Sequence, residues 1–381
     1  MLSEHALRHT GGVRIALVHY TCLPVIAGVE LVMAEHARLF REAGHEVEVV
    51  ADLGPRNETE LVEFLRPIFA RQDLVMLHNV ATMHFQPQLT AAIWKLADEL
   101  SSVRFICWVH DLAACNPDYA PLPPETDPQK LLSRAHPRFT YVAVSDLRRQ
   151  QFLELTAQPA SRCRTIPNGV EPTRLFDLPP RAAEFARRFR WFERDLVLLH
   201  PARLLRRKNV ELTLRVTAAL KAAGHSCACL ITAPPEVHHS ASRAYESTLR
   251  ELRGQLDLEN DALFLHDSEP LTDRELRGMF ELADALFFPS RQEGFGIPLL
   301  EAALHRLPVF CSDIEPLRSL LEAGITTFSL AAKPEEIAAL IVRVLDADAA
   351  FAARKQALRN YSWNAIYRNF LSPLLAETET P

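Results

Sequence analysis

The sequence predicts an α/β protein made of two doubly wound parallel-sheet halves. Apolar strand-like runs alternate with helical patterns, the alternation stops at a proline-dense segment and starts again, and 381 residues exceed what one ordinary core organises.

In the first half Val13 to His19 reads as a short apolar strand. A loop containing Gly28 follows, then a helical pattern from Glu30 to Ala43, Gly44 as its stop, and a second strand from Val47 to Ala51. Apolar runs recur at Leu74 to Leu77, Arg104 to Val109 and Tyr141 to Val144. Each is trailed by a polar loop or a helix-like segment, the pattern of a parallel sheet wrapped by helices. Between Ile166 and Pro180 stand Pro167, Gly169, Pro172, Pro179 and Pro180, so this stretch reads as a connector and holds the domain boundary. The pattern then restarts with a strand from Leu196 to His200, a helix from Asn209 to Ala223 and a strand from Ala228 to Thr232. Strands from Ala262 to Leu265, Ala285 to Pro289 and Val309 to Cys311 follow, with helices from Asp273 to Leu282, Pro298 to His305 and Pro334 to Ala347. Two such halves place a cleft between them, where strand C-terminal ends and helix N-termini point at a ligand.

Composition narrows the class. With 48% apolar and 24% charged residues the chain is globular, and a formal charge of −6 gives no general attraction to nucleic acid or anionic lipid. The seven cysteines are odd in number and sit largely in apolar runs, which reads as buried reduced thiols. Cys227 and Cys229 lack the second pair of a zinc site. No secretory leader and no run of roughly 20 apolar residues is seen, so a cytoplasmic protein without an integral membrane segment is expected.

The segment from Phe288 to Glu301, Phe-Pro-Ser-Arg-Gln-Glu-Gly-Phe-Gly-Ile-Pro-Leu-Leu-Glu, ends a strand, passes two glycines and enters a helix near Pro298. Gly294 and Gly296 let backbone N–H groups face an oxygen-rich or anionic ligand beside a helix N-terminus. Glu293 can accept hydrogen bonds from sugar hydroxyls, and Glu301 a bidentate pair from a ribose diol. Upstream, Leu199-His-Pro-Ala-Arg203-Leu-Leu-Arg-Arg-Lys208-Asn closes the first strand of the second half. Two cations five residues apart in a strand-to-helix loop can straddle a diphosphate. Arg206 and Arg207 between them read as solvated. No G-x-G-x-x-G occurs, and Gly28 marks either a tight turn or a close approach to phosphate.

On these residues the chain resembles the retaining glycosyltransferases of the GT-B fold, glycosyltransferase family 4, whose signature is E-x7-E within E-G-F-G-x-x-x-x-E. Weaker phrases agree in order: Trp108-Val-His110-Asp111, Val144-Ser145-Asp146, Ile166-Pro-Asn168-Gly169-Val170-Glu171 and Tyr361-Ser362-Trp363. The departures are Ala202 before Arg203, Ala27-Gly28 where two glycines are usual, and Arg306-Leu307 before Pro308.

The resemblance implies an acceptor-side domain over residues 1–175, a donor domain over 176–360, and a C-terminal helix, about 361–381, that packs back on the first. It implies transfer of a hexosyl group, glucose or mannose type, from a nucleoside-diphosphate sugar to a saccharide or small hydroxyl acceptor with retention. Arg203 and Lys208 would neutralise the diphosphate, His110 and Glu293 position the sugar, and Glu301 hold the ribose. Gly28, Gly294, Phe295, Gly296 and Ile297 would contribute to donor binding. No cofactor or metal is implied, since Arg203 and Lys208 make a cation unnecessary. His238-His239 reads as a solvated loop. Two other functions share the plan: a nucleotide-sugar epimerase or a phosphorylase among enzymes, and a non-catalytic nucleotide-sugar or glycan-binding module. The acceptor would be read by Thr21 to Ala27, His78 to Gln86 and Cys115 to Pro128.

Overall fold

The computed structural model describes residues 12–24, 27–119, 129–232, 240–267, 269–321 and 323–377, with backbone alone for 240–242. The expected loop at His238-His239 therefore lies outside the described residues, as do parts of two of the three loops assigned to the acceptor, Thr21 to Ala27 and Cys115 to Pro128.

The chain divides into two compact units. One runs to Gly169 and resumes at Trp363, and the other spans Val170–Ser362. The first holds six parallel strands: β1 Arg14–Val18, β2 Glu46–Val50, β3 Leu74–His78, β4 Arg104–Val109, β5 Phe139–Ala143 and β6 Cys163–Thr165, in the order β2-β1-β3-β4-β5-β6. The second holds β7 Leu196–His200, β8 Cys227–Ile231, β9 Ala262–Phe264, β10 Ala285–Phe288, β11 Val309–Ser312 and β12 Ile325–Phe328, in the order β12-β11-β10-β7-β8-β9. Two parallel six-stranded α/β units are the parts of which a GT-B fold is made.

Sequence explains the strands at the centre of each sheet. LVMLH in β3, LVLLH in β7 and CACLI in β8 are buried at every residue, because helices cover both faces of a parallel sheet. The edge strand β2, EVEVV, alternates and leaves Glu46 and Val49 exposed. Each sheet carries one apolar layer on either face: Leu77, Phe105 and Tyr141 on one side of the first and Leu17, Met76 and Trp108 on the other, then Leu198, Phe287 and Phe310 against Leu199, Leu286 and Phe288 in the second.

Helix ends follow their local chemistry. Asn57 with Glu60, and Thr272 with Glu275, form reciprocal capping boxes that open the helices Glu58–Phe69 and Asp273–Leu282. Gly44 and Gly224, at φ 87° and 93°, end the helices after β1 and β7 in the left-handed region where glycine costs least. All seven cysteines are free thiols.

The proline-dense stretch differs from its reading as a connector. Pro172–Leu175 is a short helix, a longer one spans Pro180–Arg188, and a proline opens each. Proline's fixed φ and missing N–H suit the first helical turn as well as they suit a loop, so proline density alone did not separate the two. The chain passes between the units at Gly169/Val170 and again at Ser362/Trp363. Val170 pairs with Ser362 in an isolated parallel bridge, its N–H donating to Tyr361 O at 2.7 Å. On the other side of that step Gly169 lies against Trp363, where a Cβ would stand 2.7 Å from Trp363 Cδ2. Trp363, Ile366, Leu371 and Leu374 are buried in the first unit's core beside Phe40 and Trp108.

Candidate functional site

In the second unit the chain builds outward from β7 through β8 to β9, then starts afresh on the other side of β7 with β10. The C-terminal ends of β7 and β10 therefore open onto a topological switch point, where α/β sheets bind ligands. The loops that follow these two strands are the two motif segments of the sequence.

After β7 the chain turns through a single helical turn, Arg206–Lys208, into the helix Val210–Ala222. After β10 it runs through Pro289 to Gly296 into the helix Ile297–Leu304. Lys208 Nζ and Glu293 Oε1 form an ion pair, with side chains only 12% and 7% exposed. Lys208 Nζ also lies 4.9 Å from the centre of the Phe288 ring, a cation–π contact that fixes the ammonium between ring and carboxylate. Asn209 braces the two loops. Its backbone is left-handed at φ 56°, its Nδ2 donates to Pro289 O at 3.1 Å, and its Oδ1 accepts from Arg291 NH2 at 2.9 Å. Arg291 N–H donates in turn to Arg207 O at 2.7 Å.

Other predicted residues take varied positions. Arg203 is exposed three residues beyond β7. Gly294 is exposed, with open space where a Cβ would be. Gly296 is buried at φ 113°, and a Cβ there would meet Leu317 Cδ2 at 2.7 Å, so both backbone and packing demand glycine. Phe295 and Ile297 are 53% and 60% exposed, large apolar groups beside the glycine loop. Glu301 lies one turn into its helix and lines a cavity of about 410 Å³ with Arg277, Phe280 and His305. His200, at the end of β7, is fully buried with Nδ1 2.7 Å from Thr213 Oγ1. Burial and then the Lys208 charge push its pKa down to about 3, so it is neutral.

The first unit has its own switch point, between β1 and β3. A cavity of about 600 Å³ opens there, and His110, Gly28, Glu30 and Asn79 all line it. Asn79 is left-handed at φ 60°, and its Oδ1 accepts from the N–H groups of His110 (2.8 Å) and Asp111 (3.0 Å). His110 Nε2 lies 3.1 Å from His78 Nδ1, and His19 Nδ1 lies 2.7 Å from His78 O. Burial is the main reason His110 falls to about pKa 3, with the nearby His36 and His19 adding to it, so His110 is a neutral hydrogen-bonding group. Gly28 is the first residue of the helix Gly28–Glu42, with open space at its Cβ position, and its φ lies outside the left-handed region. Neither its backbone nor its surroundings require a glycine at this position.

One reading needs correction and several residues were missed. Arg207 is half-exposed but not simply solvated, since its NH1 lies 3.5 Å from Glu293 Oε2 and donates to Gln292 O at 3.3 Å. Arg206 stacks over the Tyr245 ring at 5.1 Å. The single helical turn points consecutive basic residues in different directions, which charge counting along the sequence cannot resolve. Asn209 was read only as a helix start; an asparagine directly after the lysine, able to adopt the left-handed conformation, was the available signal. Glu30 and Asn79 carried no signal beyond polar type beside apolar runs. Among the described residues Glu246, His266 and Asp267 come close enough to share an ion, but Arg250 already bridges both carboxylates, at 2.5 Å to Glu246 and 3.2 Å to Asp267. No described helix is long and apolar enough to cross a membrane.

The chain is 36% identical over 80 residues to the O-antigen chain mannosyltransferase RfbU of Salmonella typhimurium, covering 21% of this chain and 22% of that protein. It is 27% identical over 182 residues to the D-inositol 3-phosphate glycosyltransferase of Kineococcus radiotolerans, covering 47% and 40%. The chain thus spans less than half the length of these two relatives. Among solved structures it is similar to Anabaena Alr3699/HepE in complex with UDP and glucose, with 16% identity, TM-score 0.38, and coverage of 96% of this chain and all of the other. Residues 182–362, nearly the whole of the second unit, match the family described as Glycosyl transferases group 1.

Proposed function

We propose that the protein is a retaining, metal-independent hexosyltransferase of glycosyltransferase family 4, moving glucose or mannose from a nucleoside-diphosphate sugar to a hydroxyl acceptor. The observation that carries this reading is the convergence of Lys208 and Glu293 at the β7/β10 switch point, braced by Asn209. The family match over residues 182–362 and the glycosyl-transferring relatives support it.

In this reading the second unit holds the donor. Lys208 and Arg203 stabilise the diphosphate as negative charge accumulates on it. Glu293 accepts hydrogen bonds from the sugar, Glu301 from the ribose, and the backbone N–H groups near Phe295 and Gly296 meet sugar hydroxyls. His110, kept neutral by burial, acts on the sugar by hydrogen bonding and not as a charged acid. The bond between the anomeric carbon and the phosphate oxygen breaks as the acceptor oxygen bonds to the same face of that carbon. The acceptor's proton passes to a phosphate oxygen of the leaving diphosphate, so no protein nucleophile is required.

The test is incubation of the full chain with UDP-, GDP- and ADP-linked glucose and mannose in EDTA, following nucleoside diphosphate release and the product's anomeric configuration by NMR. Acceptor-dependent release with retention is expected. Inversion, or release that needs a divalent cation, would overturn the proposed mechanism, and no release from any donor would overturn the activity.

A further inference from the structure

The cavity at the β1/β3 switch point has a wall that the proposed reaction does not explain. Tyr20, Phe85 and Tyr119 line it together with Glu30 and Asp111. Phe85 is 57% exposed yet held in place, with the Tyr20 ring edge-on at 5.5 Å and 82° and the Tyr119 ring edge-on at 5.8 Å and 86°. Tyr20 is fixed in turn, its hydroxyl donating to Val80 O and Met83 O, each at 3.1 Å. His84 packs against both Phe85 and Tyr119, at 4.9 and 5.2 Å. An aromatic ring fixed on three sides and open on a fourth presents a rigid apolar surface at little entropic cost to a ligand.

The polar side of the cavity is acidic. Glu30 is 5% exposed, and its Oε1 accepts from Thr21 Oγ1 at 2.5 Å. Its other neighbour, His19 Nε2, stands 3.8 Å away, and burial lowers the His19 pKa. Asp111 accepts from Asn116 Nδ2 at 2.7 Å and is paired with Arg148 at 2.9 Å. No lysine or arginine is among the described residues lining the cavity. Among the described residues the balance is one carboxylate that faces no lysine or arginine, beside a paired one.

From this we infer that the cavity takes an uncharged pyranoside acceptor, stacking the apolar face of its ring on Phe85 and donating hydroxyls to Glu30, and that it rejects phosphorylated acceptors. A pyranose offers what the two walls require: a face of C–H groups and a rim of hydroxyl donors. A phosphate would lose its hydration beside Glu30 without gaining a counter-charge. The acceptor role rests on the reading proposed above; the binding chemistry does not.

Saturation-transfer-difference NMR on the full chain, without donor, separates the two. Methyl α-D-glucopyranoside and methyl α-D-mannopyranoside should take saturation from the protein, and glucose 6-phosphate should take little. Phe85→Ala should abolish the effect and Phe85→Trp retain it, with Glu30→Gln weakening it; thermal melting checks that each variant is folded. In the transfer assay Phe85→Ala should raise the acceptor KM about tenfold without a matching change in donor KM. Stronger saturation of glucose 6-phosphate than of the methyl glycosides, or wild-type saturation in Phe85→Ala, would overturn the inference. Absence of nucleoside diphosphate release from the wild type would instead remove the transfer reading and leave the binding result standing.

Discussion

Lys208 and Glu293, 85 residues apart in sequence, are ion-paired beneath the loops that follow β7 and β10, with the Lys208 ammonium against the Phe288 ring. The resemblance gives these two residues separate tasks, one on the diphosphate and one on the sugar. Their pairing adds a structural task, because each fixes the other in a largely desolvated place. A donor engaging both must exchange this pair for its own contacts.

Activity and stability should therefore be separable at this pair. Lys208→Met leaves Glu293 with Arg207 at 3.5 Å and should cost up to about 3 kcal/mol, as should Glu293→Gln by stranding the lysine. The double variant should recover part of that loss, since no uncompensated charge remains. In the proposed mechanism all three should lower kcat/KM about 100-fold or more, because each would lose the stabilising charge or the sugar contact assigned to the pair. Urea unfolding beside steady-state kinetics checks both. A double variant as unstable as the sum of the singles would mean the pair is not coupled.

The two glycines of the same loop should respond in opposite ways. Gly296→Ala forces a Cβ into a left-handed backbone at φ 113°, 2.7 Å from Leu317 Cδ2, and should cost more than about 1 kcal/mol. Gly294→Ala has open space and no positive φ, so its melting temperature should stay near wild type. If the Gly294 backbone approaches the donor, that variant should still raise the donor KM several-fold. A stable Gly294→Ala enzyme with an unchanged donor KM would place the ligand elsewhere along the loop.

The contrast between these glycines shows what was legible. Central strands were readable because LVMLH and LVLLH are apolar up to a final histidine, and the Glu293 loop because its residue types repeat a known phrase. Three-residue β6, Cys-Arg-Thr, has too little apolar content to announce itself, and β12, Ile-Thr-Thr-Phe, is an edge strand with a weak pattern. Part of the demand for glycine at Gly296 comes from Leu317, twenty-one positions on, beside its left-handed backbone, and Asn209 acts through Pro289 and Arg291. Such long-range contacts leave no local trace.

Acid stability offers another measurement. Burial holds His36, His110 and His200 down to pKa about 3, against the ordinary value of 6.5. The unfolded chain binds these protons first, so the stability is fully present above about pH 6.5 and is lost as pH falls toward 3. Each contributes a slope of about 1.4 kcal/mol per pH unit in the acid part of that window. Among the described residues His36 has no hydrogen-bond partner on either ring nitrogen, and it sits edge-on to Trp108 and Trp363 at 4.7 and 5.5 Å. His36→Leu should hold stability near wild type at pH 7 and reduce the slope between pH 6 and 4, measured by urea unfolding. An unchanged slope would show that His36 is not the titrating group.

Asn209 joins the two motif loops and touches neither reacting group, so its removal should act through geometry. Asn209→Ala removes the donor to Pro289 O and the acceptor for Arg291, and leaves alanine at φ 56°. A cost of about 1–3 kcal/mol is expected from the unsatisfied buried carbonyl and the strained backbone. Asn209→Gly relieves the strain but not the lost bonds, so it should recover part of the stability and little of the activity. In both variants kcat should fall more than donor KM rises, since Lys208 keeps its charge but not its place. If Asn209→Gly restored kcat to the wild-type value, the side-chain brace would be irrelevant and only the left-handed turn would matter.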